Sequence, residues 1–116
     1  MLEFKNVSFK YKEDNEPMIN NLSFEINGGE FISIIGPSGC GKSTIFRLIN
    51  GLEKIQSGSV LVNGNPIGTV KNYSAFMPQK DLLFPWRTIG ENLSLPLEIN
   101  KVSKIERKEK INAILK

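Results

Sequence analysis

Residues 36 to 43 run Gly36-Pro37-Ser38-Gly39-Cys40-Gly41-Lys42-Ser43 and satisfy G-x-x-x-x-G-K-[ST] at every fixed position. The pattern constrains the fold because each fixed residue type has a physical task. The glycines let the backbone curl tightly and aim successive N–H groups at phosphate oxygens. Lys42 brings a mobile positive charge to the β- and γ-phosphates of a nucleoside triphosphate, and Ser43 offers a hydroxyl to Mg²⁺. The flanks suit the same geometry. Phe31-Ile32-Ser33-Ile34-Ile35 reads as a short buried strand, and Ile45, Leu48, Ile49 and Leu52 recur at helical spacing. A helix starting at the loop adds the positive end of its dipole to an anion cradle. The plainer alternative is a Gly-rich strand-to-helix turn that binds nothing. Four fixed positions in a strand–loop–helix context weigh against it.

The chain has 116 residues, enough for one small domain. With 40% hydrophobic and 23% charged residues, its composition is that of a soluble globular protein. No run approaches the roughly 18 to 20 apolar residues that span a bilayer. Met1-Leu2-Glu3-Phe4-Lys5 leads directly into strand-like alternation, with no apolar signal region. Cys40 is the single cysteine, so no internal disulfide forms and a reducing cytoplasm is the expected setting. In the loop Cys40 reads as a residue small enough to fit rather than as a redox group.

The net charge is +3, but it is unevenly placed. Residues 1–100 carry nine Lys/Arg against ten Asp/Glu, while residues 101–116 carry six against two. The basicity therefore belongs to the last helix, where a solvated Lys-rich face is the usual explanation. No nucleic-acid motif or cluster of stacking aromatics accompanies it, and nucleic acid is not expected as a partner.

Leu2, Phe4, Val7 and Phe9, then Ile19, Leu22, Phe24 and Ile26, predict two strands joined by the polar loop Lys12 to Pro17. The helix from about Lys42 is expected to stop at Gly51 with a left-handed cap. Ser59-Val60-Leu61-Val62 reads as a strand, and Asn63-Gly64 as a hairpin turn. Tyr73-Ser74-Ala75-Phe76-Met77 reads as a further strand ending at Pro78-Gln79. Thr88-Ile89-Gly90-Glu91 is a capping box opening a short helix that Pro96 interrupts. Ser103-Lys104-Ile105-Glu106 is a second box, with its helix running to Lys116. On that helix Ile111, Ile114 and Leu115 await an apolar partner.

Around the loop, the residues resemble the ATP-binding subunits of ABC transporters. Asn6-Val7-Ser8-Phe9-Lys10-Tyr11 is similar to their first strand and its adenine-stacking aromatic, here Tyr11, 25 positions before Gly36. Gly36 to Thr44 is similar to their phosphate loop. Asn50-Gly51-Leu52, Ser57-Gly58 and Asn63-Gly64 resemble the stretch that follows it, and Phe76-Met77-Pro78-Gln79 resembles the strand ending in the Q-loop glutamine. Asp81-Leu82-Leu83-Phe84-Pro85-Trp86-Arg87-Thr88 resembles the branch serving nitrate, taurine and aliphatic sulfonate importers, where a Leu-x-Pro-Trp-Arg-Thr run follows that glutamine.

The resemblance implies the N-terminal part of an α/β, P-loop NTPase-type nucleotide-binding domain. That part holds an antiparallel β portion, the P-loop strand and helix, and the start of a helical subdomain, with an incomplete core. Residues of about 1–80 form the nucleotide-binding portion, and about 81–116 the Q-loop and the helical start. The implied cofactors are ATP and Mg²⁺. ATP falls to Tyr11, Gly36, Pro37, Ser38, Gly39, Cys40, Gly41, Lys42, Ser43, Thr44 and Gln79, and the metal to Ser43 and Gln79. Ser38, Gly39, Cys40 and Thr44 serve mainly through backbone N–H groups. Tyr11 reads equally as an ordinary edge aromatic, and Gln79 as a polar loop residue without a task. The implied partners are membrane-spanning permease subunits, met near Gln79 to Thr88 with Trp86 among the contacts, and a second ATP-binding subunit. A solute-binding protein takes part indirectly. Trp86 reads equally as packing on its local helical segment. The implied location is cytoplasmic, peripheral on the inner face of the cell membrane.

The family's catalytic Asp–Glu pair, its Leu-Ser-Gly-Gly-Gln-like signature loop and its switch histidine do not occur here, and the histidine count is 0. Without a carboxylate to orient water, such a chain is expected to bind ATP with little or no hydrolysis. Two readings remain open, an N-terminal portion of an importer's ATPase subunit and a non-catalytic nucleotide-binding module that pairs with an intact subunit. A third, a chromosome-maintenance or repair P-loop ATPase, fits Tyr11, Gln79 and the Pro-Trp-Arg-Thr run poorly.

Overall fold

The computed structural model describes residues 1–116. Strands β1 (Leu2–Phe9) and β2 (Ile19–Ile26) form where the apolar alternation predicted them. They pair antiparallel, with Phe4 opposite Phe24 and Phe9 opposite Ile19. Irregularities in register fall around Asn6 and Asn21, both at positive φ. Asparagine tolerates that region because its short amide bonds locally, and the Asn6 N–H donates to Ser23 Oγ at 2.8 Å.

Strand β3 (Ser57–Val62) pairs on the other side of β1, and β4 (Asn65–Pro66) follows it, giving the order β2-β1-β3-β4. The Asn63-Gly64 turn joins them with φ of 50° and 81°, the double left-handed geometry that this dipeptide favours. A single 3₁₀ turn, Ile67–Thr69, ends the hairpin.

Helix α1 (Lys42–Ile49) sets Leu48 against the sheet. Leu48 joins Phe4, Val7, Phe9, Ile19 and Val60 in one buried core, with the Phe4 and Phe24 rings stacked at 4.6 Å. Each such side chain contributes about 1.5–3 kcal/mol by leaving water. The helix ends at Asn50 and Gly51 turns left-handed at φ 70°, as its glycine predicts.

Two expected strands do not form. Residues 31–35 and 73–77 pair with nothing in the sheet. Phe31 is 95% exposed, Ile35 92% and Met77 92%, so the buried P-loop strand expected at Phe31–Ile35 is corrected. An apolar run becomes a strand only when neighbours accept its N–H and C=O groups, and no strand of the four-stranded sheet pairs with residues 31–35. Residues 73–77 instead tie to α1, through Ser74 Oγ donating to Asn50 Oδ1 at 2.9 Å and Phe76 stacked on Phe46 at 6.4 Å.

The chain divides into two compact units, Met1–Met77 and Pro78–Lys116. In the second, α2 (Ile89–Ile99) carries the full capping box. Thr88 Oγ1 accepts from the Glu91 N–H, and Glu91 accepts from the Thr88 N–H at 2.7 Å. Pro96 does not interrupt this helix, against expectation. A single proline near the C-terminal end removes one backbone bond, and the ladder resumes with the Asn100 N–H on the Pro96 carbonyl at 3.1 Å. Helix α3 (Lys104–Leu115) has half of its predicted box. Ser103 accepts from the Glu106 N–H, but the Glu106 carboxylate turns forward to Lys110 at 3.0 Å. Ile105, Ile114 and Leu115 stay exposed and Ile111 is half-buried. No helix is long and apolar enough to cross a membrane.

Candidate nucleotide-phosphate site

The loop between residue 36 and α1 is shaped by close approach. A Cβ at Gly36 would lie 2.6 Å from Cys40 Sγ. Gly41 adopts φ 102°, and a Cβ there would stand 3.2 Å from the Met18 carbonyl oxygen. A side chain at Gly36 would displace the Cys40 thiol, and one at Gly41 would be strained by its φ and crowd the Met18 carbonyl. The Cys40 N–H closes the turn onto the Pro37 carbonyl at 3.3 Å, and the first helical bond runs from the Ile45 N–H to the Gly41 carbonyl at 3.0 Å. Gly41 is the N-cap of α1, and no side-chain oxygen caps that end. The N–H groups of the first turn and the positive dipole end are thereby left to a ligand.

Lys42 is half-buried, and its ammonium folds back over the loop. Nζ donates to the carbonyls of Gly36 and Pro37, the latter at 2.9 Å, with Cys40 Sγ 3.8 Å away. Ser38, Gly39 and Ser43 are exposed. The loop therefore gathers one cation, an uncapped helix start and an accessible hydroxyl, which together suit a polyphosphate with its metal.

Thr44 is only 4% exposed, and its Oγ1 lies 3.1 Å from the Tyr11 hydroxyl. Tyr11 also meets Phe9 edge-on, with ring centroids 4.8 Å apart. The structure thus brings Tyr11 beside α1, a pairing across 33 residues that the sequence did not announce. Tyr11 further lines an open cleft of about 770 Å³ with Lys10, Lys12, Asp14, Met18 and Leu52. No residue of the 36–43 loop lines that cleft.

Gln79 and Trp86 belong to the second unit. Gln79 is exposed. Trp86 is 75% exposed and packs on Phe84 at 4.9 Å, while the Arg87 guanidinium sits over the other aromatic ring, Phe84, at 6.0 Å. Asn92, which carried no motif in the sequence, holds this turn. Its Nδ2 donates to the carbonyls of Phe84, Arg87 and Thr88 at 3.2, 3.3 and 3.0 Å. The only hint was an amide one turn into a capped helix.

Behind the turn, Glu98 accepts from Ser94 Oγ at 3.0 Å and pairs with Arg87 at 3.5 Å and Arg107 at 3.0 Å. The Ser94 hydroxyl, aided by the two guanidiniums, holds the Glu98 carboxyl below its ordinary range against partial desolvation.

The ABC transporter family profile matches residues 19–116. The chain is 40% identical to the spermidine/putrescine import ATP-binding protein PotA of Thermotoga maritima, over 98% of its own length and 31% of the relative's. It is 44% identical to the formylaminopyrimidine import ATP-binding protein ThiZ of Halalkalibacterium halodurans, over 93% of its length and 41% of the relative's. It therefore spans well under half of these relatives. Among solved structures, the dimeric ATP-binding cassette MJ0796 in a post-hydrolysis state with ADP and Pi superposes with a TM-score of 0.79 and 31% identity. That superposition covers 97% of this chain and 55% of the cassette. With the phosphate loop in place on α1 and the profile matched over most of its length, the chain belongs to the ABC transporter family, as a part of the ATP-binding domain.

Proposed function

We propose that this chain is the nucleotide-binding portion of the energising subunit of an ABC importer. The observation that carries the reading is the 36–43 loop, in which Lys42 Nζ already stands over the loop mouth at an uncapped helix start. The residues fit ATP with Mg²⁺. Gly36 and Gly41 keep the cradle free of side chains, Lys42 supplies the cation, and Ser43 supplies the metal's hydroxyl. The backbone from Pro37 to Thr44, including Ser38, Gly39 and Cys40, lines the phosphates and Tyr11 lies against the adenine, while the family resemblance assigns Gln79 to the nucleotide and its metal. Bound Mg²⁺ would neutralise charge on the β- and γ-phosphates. The chain's own residues bind and orient the nucleotide. They include neither the family's Asp–Glu pair and signature loop nor any histidine, so turnover by these 116 residues is expected to be negligible. That lack also supports the second reading, a module that binds ATP, or pairs with an intact subunit, without hydrolysis.

Residues of about 1–80 form the nucleotide-binding portion, and about 81–116 the Q-loop and helical start. The complete protein would pair two such subunits around nucleotide, a reading supported by the dimeric cassette bound to ADP and Pi. The permease subunits would dock near Gln79 to Thr88, where Trp86 offers an exposed ring beside the half-buried Phe84. The protein would sit on the cytoplasmic face of the membrane, with a solute-binding protein acting through the permease. The Leu83–Thr88 run supports a nitrate, taurine or sulfonate-like solute, and it is the single feature that does so. The named relatives import other solutes.

Titration calorimetry of the chain with ATP and Mg²⁺ tests the binding claim. Saturable binding that Lys42→Ala abolishes supports it. Equal binding by Lys42→Ala would overturn it.

A further inference from the structure

Tyr11 sits just past β1 at the head of a polar loop. One near and one distant group hold its ring. The Phe9 ring meets it at 4.8 Å and 89°, and its hydroxyl reaches Thr44 Oγ1 at 3.1 Å. Thr44 stands in the first turn of α1, next to Ser43, and is 96% buried, being 4% exposed. Its β-branched side chain has few rotamers in a helix, so its hydroxyl is a stiff anchor. The phosphate loop leads into the same helix.

We propose that Thr44 is a positioning residue for Tyr11, its hydroxyl locking the ring to the helix that carries the phosphate loop. This rests on the reading that the loop binds ATP with Tyr11 against the adenine. The side chain then has a task separate from its backbone N–H. The stacking surface and the phosphate helix move as one body, so the ring loses little freedom when a base settles on it. A ligand that spans both ends benefits from the lock. One that fills the phosphate loop alone does not.

The test compares ATP with inorganic tripolyphosphate, each with Mg²⁺, by titration calorimetry on the 116-residue chain. Tyr11→Phe keeps the ring and removes the hydroxyl. Thr44→Val keeps the shape and the backbone N–H but removes Oγ1. Tyr11→Phe is expected to weaken ATP about fivefold, the scale of one side-chain hydrogen bond, and to leave tripolyphosphate within about twofold, while Thr44→Val weakens ATP by at least as much. The double variant is expected to be no weaker than Thr44→Val alone, and Thr44→Ser to keep the parent's ratio of ATP to tripolyphosphate affinity. A merely structural role would instead weaken both ligands together.

Unchanged ATP affinity in Tyr11→Phe, equal loss for both ligands, or multiplying losses in the double variant would overturn the proposal. If Thr44→Val loses its helical signal, Tyr11→Phe and Thr44→Ser decide the matter. ATP binding that Lys42→Ala leaves intact sinks the phosphate-loop reading itself. Binding lost in Lys42→Ala but untouched in Tyr11→Phe sinks the Thr44 role alone.

Discussion

Asn92 and Phe84 are bonded in both directions. The Phe84 N–H donates to Asn92 Oδ1 at 2.8 Å, and Asn92 Nδ2 donates to the Phe84 carbonyl at 3.2 Å. One side chain thus does for a turn what a strand partner does for a strand, satisfying donor and acceptor together. With its bonds to the Arg87 and Thr88 carbonyls, Asn92 fixes the turn that displays Trp86.

Asn92→Ala is therefore expected to loosen residues 84–88 by about 1–3 kcal/mol, the cost of unsatisfied backbone groups. Amide hydrogen exchange reads this at the Phe84 N–H, which should exchange at least tenfold faster. Asn92→Asp keeps the acceptor for that N–H and should fall between the two. Unchanged Phe84 exchange in Asn92→Ala would refute the bracing role.

Glu98 makes the second unit sensitive to acid. Its folded pKa is lowered, so the stabilisation is present above the ordinary glutamate value and fades as pH falls through the lower folded value. Helical circular dichroism followed as pH falls below the ordinary glutamate value should show this loss. Glu98→Gln should flatten that acid limb and lower stability at neutral pH. An unaltered acid limb would mean that the Ser94 and arginine contacts do not persist in solution.

Gly58 opens β3 at φ 80°, and a Cβ there would overlap the carbonyl oxygens of Lys5 and Asn6. Gly58→Ala should destabilise the first unit by roughly 3 kcal/mol through clash and left-handed strain together. Gly68 has open space around its Cβ position, and Gly68→Ala should stay within about 0.5 kcal/mol. Urea unfolding midpoints of the two variants check the contrast.

Phe4 is 1% exposed and stacked on Phe24. Phe4→Ala should cost about 3–5 kcal/mol, a large part of the stability of a domain this small. A lowered melting temperature with loss of a single cooperative transition is the expected result. A shift below about 1 kcal/mol would mean that the sheet core is not organised around this ring.

Features that depend on near neighbours were legible in the sequence. The alternation of Leu2 to Phe9, the Asn63-Gly64 turn, the Thr88–Glu91 box and the Gly51 cap all report on residues a few positions apart. The turn from Gly36 to Ser43 was legible for the same reason, since its hydrogen bonds run between residues a few positions apart. Where a partner lay far along the chain, the sequence was mute. Phe31–Ile35 has the side chains of a strand without a neighbour to pair with, and the Tyr11–Thr44 bond joins two segments that carry no shared pattern. Pro96 misled in the other direction, because its position near a helix end made the missing N–H inexpensive.

The posture of Lys42 turns ligand capture into an exchange of partners. A free lysine side chain gives up about 1.5–2 kcal/mol of rotamer entropy when it is pinned, and here the Gly36 and Pro37 carbonyls have pinned it already. An incoming anion would have to draw the ammonium off two neutral carbonyl oxygens of the loop. A multiply charged phosphate chain, offering several charged acceptors, would compete for it better than a single carboxylate. Lysine and loop together would then favour ligands of high charge density.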